Sequence, residues 1–447
     1  MPSRYRVEYQ LKSHRKDELI EWIKGLLAVP FVLHSSSDSD DARQLIRQRY
    51  AEIFTAVESL VDEQFEIGQQ MHLPDQDFHR ERTRLTQLVP SVGPFFTRLP
   101  LEKSFYLEDR KRAISSRTMV APSFNDIRHI LNSAQILQMR QFNDVKLVTF
   151  DGDVTLYEDG GSLTESSKVV PFLLDLLRNG ICVGIVTAAG YDEAQKYMER
   201  LFGFIVALEE DSTISPELKE NLAVLGGESN YLFRYNAKLG ELVSIPLESW
   251  IRSPMREWSE SDMTETLDLA ESLLRGFRTA LNLPEESTII RKPRAVGIVP
   301  GNRWNPETKR TNRIKMEREQ LEEMVLTLQH RIENFAPARR IQFSCFDGGS
   351  DVWCDIGGKD LGVAALQNYF CPENPIKPHQ TLHIGDQFAP MGSANDFKAR
   401  LSGCTVWISS PQETVEVLRC LTTGFDHYTR SSSVIPIAVA TTDSCYQ

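Results

Sequence analysis

The chain has 447 residues, 62 acidic against 50 basic, for a formal charge of −12 at pH 7; its length suggests two or three domains, and its negative charge offers no attractive field to nucleic acid or to anionic lipid. Hydrophobic residues at 41% and charged residues at 25% are globular values, no apolar run approaches the roughly 18 residues of a membrane span, and the polar stretch from Met1 to Arg15 is no signal peptide. The seven cysteines are scattered without a C-x-x-C pair, which argues against a disulfide framework or a zinc site and leaves a reduced, cytoplasmic enzyme as the expectation.

Residues 1–145 read as a helical module. Leu19, Ile20, Ile23, Leu26 and Leu27 recur at helical spacing, and Ile46, Tyr50, Ile53, Val57 and Leu60 form a second stripe behind the N-cap candidates Ser37 to Asp40. Between them the apolar segment Val29 to Leu33 is expected to dock on a neighbour. Ile127, Ile130, Leu131, Ala134 and Leu137 predict a helix over 124–141 that leads into the first strand.

From residue 146 the period changes. Lys146 to Phe150 reads as a strand, 167–179 as a helix ending at Gly180, Ile181 to Thr187 as a buried parallel strand, and 191–202 as another helix. Such alternation predicts an α/β fold with a Rossmann-like, doubly wound parallel sheet. Residues 205–340 break the rhythm, with strand-like runs at Tyr231 to Phe233 and Ser287 to Val299 and helical patterns at 262–281 and 312–334. They read as an inserted α/β cap. The sheet is expected to resume with Ile341 to Cys345, a helix over 358–370, and strands at Thr381 to Gly385 and Cys404 to Ile408. The catalytic core is thus 146–204 plus 341–430, and Ser431 to Gln447 is a tail.

The sharpest chemical signal is Phe150-Asp151-Gly152-Asp153-Val154-Thr155. Two aspartates leave a buried strand at its C-terminal end, where α/β sheets bind ligands, with one residue between them. Carboxylates that close repel unless a cation bridges them or their roles differ, one attacking an electrophile while the other moves protons. Thr187, followed by Ala188-Ala189-Gly190, can offer a phosphate O–H and N–H donors. Lys359 opens a helix within Gly357-Gly358-Lys359-Asp360 and can neutralise a phosphoryl group. Asp386 ends the strand Leu382-His383-Ile384-Gly385 and can complete an oxygen-rich magnesium site, with Asn395-Asp396 trailing it.

This order of motifs resembles the haloacid dehalogenase-like superfamily of phosphohydrolases, in the branch with a cap inserted between the second and third motifs. Lys16 to His34, Val148 to Leu156, Gly348 to Leu366 and Leu382 to Asp396 together resemble the IMP-specific 5′-nucleotidase family of fungi and apicomplexan parasites. The resemblance implies that Asp151 is the nucleophile, Asp153 the general acid and base, and Thr187 and Lys359 the phosphate ligands. It further implies Mg²⁺ held by Asp151, Asp386 and the backbone carbonyl of Asp153, IMP as substrate, activation by ATP, and a homotetramer. The spacer from Asp386 to Asn395 is longer than in most of the superfamily, which leaves the roles of Asn395 and Asp396 open.

For the substrate, Asp351 is a candidate for the ribose hydroxyls, Trp353 for stacking on the purine, and Asp159, in the loop after the nucleophile, for a further contact. Arg291, Lys292 and Arg294 are candidates for the base oxygen or the phosphate. His129 and Phe397 are candidates for ATP, with Arg128 and Trp407 as neighbours. Two other readings stand beside the nucleotidase: a phosphosugar phosphatase or phosphomutase of the same fold, and a catalytically silent nucleotide-sensing scaffold. Every motif position is filled by a competent residue type, which speaks against the scaffold.

Overall fold

The computed structural model describes residues 17–34, 40–70, 83–307, 309–389 and 395–425. Ser37 to Ser39 of the capping run, and the tail over 431–447, lie outside the described residues. The first helices, α1 (Glu18–His34) and α2 (Asp40–Gln70), follow the two apolar stripes, and α3 (Leu101–Arg112) and α4 (Phe124–Phe142) complete the module. Helix α4 starts where Ser123 and Asp126 form a reciprocal capping box. The stripes converge on one core containing Ile23, Ile46, Tyr50, Phe54, Phe105, Ile127 and Ile130. The Val29 to Leu33 segment is the last part of α1 rather than a connector, and Val29, Val32 and Leu33 are exposed.

Behind α4 lies a seven-stranded sheet in the order β13-β12-β1-β2-β3-β4-β5. Its strands are β1 (Leu147–Phe150), β2 (Cys182–Val186), β3 (Leu222–Gly226), β4 (Tyr231–Asn236), β5 (Glu241–Ser244), β12 (Thr381–Gly385) and β13 (Cys404–Trp407). From β13 to β3 neighbours pair in parallel, and β4 and β5 extend the sheet antiparallel. The parallel strands are buried along nearly their whole length because both faces are covered. Helices α5 (Val170–Arg178) and α6 (Phe202–Glu210) pack on the face bearing Val148, Phe150, Val183 and Ile185, together with the last helix, whose range is Pro411–Thr423. On the opposite face Leu147 and Val186 meet Val363 and Leu366 of the helix Lys359–Phe370.

The cap has its own four-stranded sheet, β10-β11-β7-β6. It is built from β6 (Thr288–Lys292), β7 (Ala295–Val299), β10 (Phe343–Asp347) and β11 (Val352–Ile356), with a small hairpin of β8 (Asn302–Asn305) and β9 (Arg310–Arg313). Helices α7 (Glu260–Ala280) and α8 (Arg318–Glu333) cover one of its faces. We number the helix Lys359–Phe370 α9 and Pro411–Thr423 α10.

Two expectations about sheet membership are corrected. The strand-like run expected in the cap at Tyr231 to Phe233 lies in β4 of the seven-stranded sheet, between β3 and β5, and the strand expected to resume that sheet at Ile341 to Cys345 pairs instead within the cap. The physical reason is that an apolar strand states that it is buried but not beside which partner. The helix expected from 312 begins at Arg318, because residues 310–313 pair in the hairpin.

Candidate active site

The site forms where the parallel strands end. Asp151 follows β1, and its N–H donates to the Ile384 carbonyl at 3.0 Å, locking it to β12. Asp386 follows β12, Thr187 follows β2, and Lys359 is the first residue of α9. The Lys359 amine, fully buried, lies 2.9 Å from Asp151 Oδ1 and 2.6 Å from Asp396 Oδ1. Carboxylate oxygens of Asp151, Asp386 and Asp396 all come within 4.8 Å of one another. Thr187 Oγ1 sits 3.4 Å from the point where a Cβ on Gly152 would lie, so the first two motifs converge too.

Asp396, whose role the long spacer left open, lies within this cluster. It is wholly buried, accepts the Gln387 N–H at 2.8 Å, and lies 3.1 Å from Nε2 of the buried His383. The other ring nitrogen of His383 is 2.9 Å from Thr149 Oγ1. A carboxylate can only accept, so Nε2 carries the proton and Nδ1 receives the threonine hydroxyl. Gly385 makes this approach possible, since a Cβ there would overlap the Asp396 carboxylate.

Three carboxylates surround one amine, and burial makes the imbalance costly. Burial, reinforced by Asp396 and Asp153 and only partly offset by Lys359, pushes Asp151 up to about 7. Burial, with Asp151 and Asp396 beside it, raises Asp386 well above the carboxylate range. For Asp396 burial acts upward as well, but Lys359 and His383 outweigh it and hold the group well below its ordinary value. The side-chain oxygens of Gln387 and Asn395, beside these acids in the chain, are buried with no hydrogen-bond partner. An all-oxygen donor set with a deficit of positive charge and spare acceptors fits a hard divalent cation such as Mg²⁺.

Not every candidate joins that cluster. The Asp153 carboxylate accepts the Gly160 N–H at 2.9 Å and closes the turn after the nucleophile; among the described residues Asp396, not the Asp153 side chain, is the third acid of the possible metal group. Asp159 is exposed, with a carboxylate oxygen 3.2 Å from the Cβ position of Gly349, so its loop meets the cap loop that carries Asp351. The cap's uncovered face carries Trp353, which lies across Gly297, and Lys292, whose amine is 4.8 Å from the indole centroid. Lys292 also donates to the Gly190 carbonyl at 2.8 Å, tying the cap to the loop after β2. Arg291 and Arg294 do not turn inward; they pair with Asp268 at 2.9 Å and Glu260 at 2.7 Å on α7.

The effector candidates lie on the other side of the sheet edge. Arg128 is buried and grips Glu413 through both ends of its guanidinium, at 2.7 and 2.9 Å, with His129 3.4 Å from the same carboxylate. Phe397 is half-buried under the guanidinium of Arg400, and Trp407 is buried between aromatic rings. A cavity of about 90 Å³ between the helical module and β13 is lined by Arg128, Asn132, Gln135, Arg400 and Trp407 among others; neither His129 nor Phe397 lines it.

Sequence reasoning missed Glu228 and Asp355. Glu228 is fully buried after β3 at φ +51°, in the left-handed region, and neither of its carboxylate oxygens has a hydrogen-bond partner. Burial pushes it up to about 7 against the pull of Lys359 and Lys398. Asp355, on the cap strand β11, is buried with one unpartnered oxygen, and burial and Glu228 together raise it. The available signal was positional: Leu222-Ala223-Val224-Leu225-Gly226-Gly227-Glu228 is an apolar strand ending in an acid, like the strands before Asp151 and Asp386.

Comparison with known proteins bears on the same features. A family model described as IMP-specific 5′-nucleotidase matches residues 1–418. IMP-specific 5′-nucleotidase 1 of Candida glabrata is 58% identical over 444 residues, covering 94% of this chain and 99% of that protein. The structure of an IMP-bound mutant of the Plasmodium falciparum IMP-nucleotidase is similar at a TM-score of 0.74 and 29% identity, covering 92% of this chain and 94% of that one. The ATP-bound form of the Plasmodium enzyme is similar at a TM-score of 0.71 and 30% identity, over 91% and 85% of the two chains.

Proposed function

The chain belongs to the IMP-specific 5′-nucleotidase family, a phosphoric monoester hydrolase with a haloacid dehalogenase-like fold, and we propose that it hydrolyses IMP to inosine and phosphate through an aspartyl-phosphate on Asp151. The single observation that carries this reading is the convergence of Asp151, Asp386, Asp396 and Lys359 at the strand ends.

In the first step an Asp151 oxygen attacks phosphorus in line, forming an acyl-phosphate bond as the bond to the 5′-oxygen breaks. Asp153 gives its proton to that leaving oxygen. In the second step Asp153 takes a proton from water as the water attacks phosphorus, and the Asp151 carboxylate leaves with its electron pair restored. Lys359 and Thr187 bind the phosphoryl oxygens on which charge accumulates. Asp151, Asp386 and Asp396 would hold Mg²⁺, with the main-chain carbonyl of Asp153 as a further ligand. When bound, the ion supplies the positive charge that lets an anionic nucleophile approach an anionic phosphate.

Asp159 lies against the loop that carries Asp351; the two carboxylates would accept hydrogen bonds from ribose hydroxyls, and Trp353 would offer its ring to the purine. ATP acts as an activator in this reading, bound between the helical module and the sheet, where opening of the small cavity would admit it. The ATP-bound Plasmodium relative supports ATP as a ligand. The enzyme works as a cytoplasmic homotetramer; among the described residues no helix is long and apolar enough to cross a membrane.

Phosphate release from IMP, AMP, GMP and mannose phosphates, with and without Mg²⁺ and ATP, tests the reading. Preference for IMP that depends on Mg²⁺ and rises with ATP is the expected result. Equal rates on all substrates would point to the phosphosugar phosphatase or mutase, and no release from any of them to the silent scaffold.

A further inference from the structure

Strand β13 is an edge of the catalytic sheet, so one side of its backbone has no neighbouring strand. At Trp407 that side is taken up by α4. The Asn132 side-chain amide donates to the Trp407 carbonyl at 2.7 Å and accepts the Trp407 N–H at 3.1 Å, as a paired strand would, and Arg128 donates to the same carbonyl. The ring is fixed by Phe124 and Phe388, at centroid distances of 5.3 and 6.1 Å.

So held, Trp407 donates its indole N–H to the main-chain carbonyl of Asp386 at 2.7 Å. Such pairing is not automatic here, since the buried indole N–H of Trp250 has no partner. The carbonyl of Asp386 and the N–H of Gln387 belong to one planar peptide group. Its oxygen is held by Trp407, and its N–H donates to Asp396 Oδ2 at 2.8 Å. The orientation of this single peptide therefore fixes both the direction in which Asp386 leaves the strand and the pose of Asp396.

We propose that Trp407 is a positioning residue for the metal carboxylates: braced by Asn132 and Arg128 of the helical module, its indole N–H sets the Asp386–Gln387 peptide and through it the Asp386 and Asp396 side chains. This rests on the reading of those acids as metal ligands. Outer partners that orient ligands typically change metal affinity about 10- to 100-fold when removed.

The test is titration of the full chain with Mn²⁺, following the free ion by electron paramagnetic resonance, for wild type, Trp407→Phe, Asn132→Leu and Asp386→Asn, with thermal midpoints recorded alongside. Trp407→Phe keeps an aromatic ring but loses the donor together with part of the indole's volume, a packing loss that the thermal midpoint registers. It is expected to bind Mn²⁺ about 10- to 100-fold more weakly, with phosphate release from IMP recovering at saturating metal. Asn132→Leu, which leaves the indole in place and removes the Asn132 bonds to the Trp407 main chain while Arg128 keeps its own, is expected to shift affinity in the same direction by a smaller factor. Asp386→Asn is expected to lose the ion. Wild-type affinity in both Trp407→Phe and Asn132→Leu, with Asp386→Asn defective, overturns the role of Trp407 alone. So does a Trp407→Phe that loses thermal stability and turnover while its metal affinity stays at the wild-type value. Unaltered binding in Asp386→Asn overturns the metal reading, and the positioning role with it.

Discussion

The helical module encloses Phe388 and Ala389, which follow β12, and Trp407 of β13 within its hydrophobic core, whereas every buried apolar member of the cap's core lies between Met263 and Ile356. The cap meets the site instead through polar groups such as Lys292 on the Gly190 carbonyl and the orphaned carboxylates of Glu228 and Asp355. Apolar contacts shared across a boundary make two units fold as one, and polar contacts between two complete cores can be exchanged for substrate or water. In the proposed mechanism the module would therefore hold the acids in place and the cap would admit the ligand.

The largest expected effect lies in the part both regions serve. Asp151→Asn should lower kcat for IMP by at least about 10⁴-fold, in line with loss of other catalytic nucleophiles. Circular dichroism and the thermal midpoint should show both modules intact; a collapse of the fold would mean that Asp151 is structural. Next comes a paired test of the packing contrast. Phe105→Ala, beneath Phe54 at 5.3 Å in the module's core, should cost about 3–5 kcal/mol, and Leu328→Ala in the cap core about 2–5 kcal/mol. By calorimetry the first should lower a transition shared with the catalytic sheet and weaken Mn²⁺ binding. The second should lower a separate transition and leave Mn²⁺ binding alone. The reverse pattern would break the comparison.

A smaller effect probes the polar boundary by pH. Burial raises Glu228 from its ordinary 4.5 to about 7. Between those values the folded state binds the proton that the unfolded chain has released, so this group's contribution to stability falls as pH rises from about 4.5 through 7 and is constant above. Glu228→Gln should therefore be more stable than wild type at pH 8, by up to about 3 kcal/mol, and indistinguishable below pH 4.5. A pH-independent difference in thermal midpoint would show that Glu228 has a partner when folded. Smallest is Lys292→Met, which removes the cap's tether to Gly190. The KM for IMP should rise by up to about tenfold, the scale of one hydrogen bond from a charged donor, with kcat and stability unaltered.

What the sequence disclosed follows the same division. Asp151, Thr187, Lys359 and Asp386 were legible because each sits where an apolar strand stops or a glycine-led helix starts, and strand ends are where a parallel sheet gathers its ligands. Asp396 was visible as a residue but not as a cluster member, because its pose depends on Gly385 having no side chain and on His383 turning inward. The runs at Tyr231 to Phe233 and Ile341 to Cys345 were legible as strands and misassigned to sheets, since pairing partners are chosen by the folded context, while β3 and β5 went unread. Glu228 escaped because nothing local distinguishes an acid that will be buried without a partner from one that will meet water.

The braces on Trp407 also have a bearing on how the chain is made. Asn132 and Trp407 are 275 residues apart. At roughly ten residues per second, a nascent helical module would wait about half a minute on the ribosome for the aromatic ring that fills its core. Its hydrophobic slot stands open through that interval, so newly made chains offer a chaperone a long-lived target at their leading end.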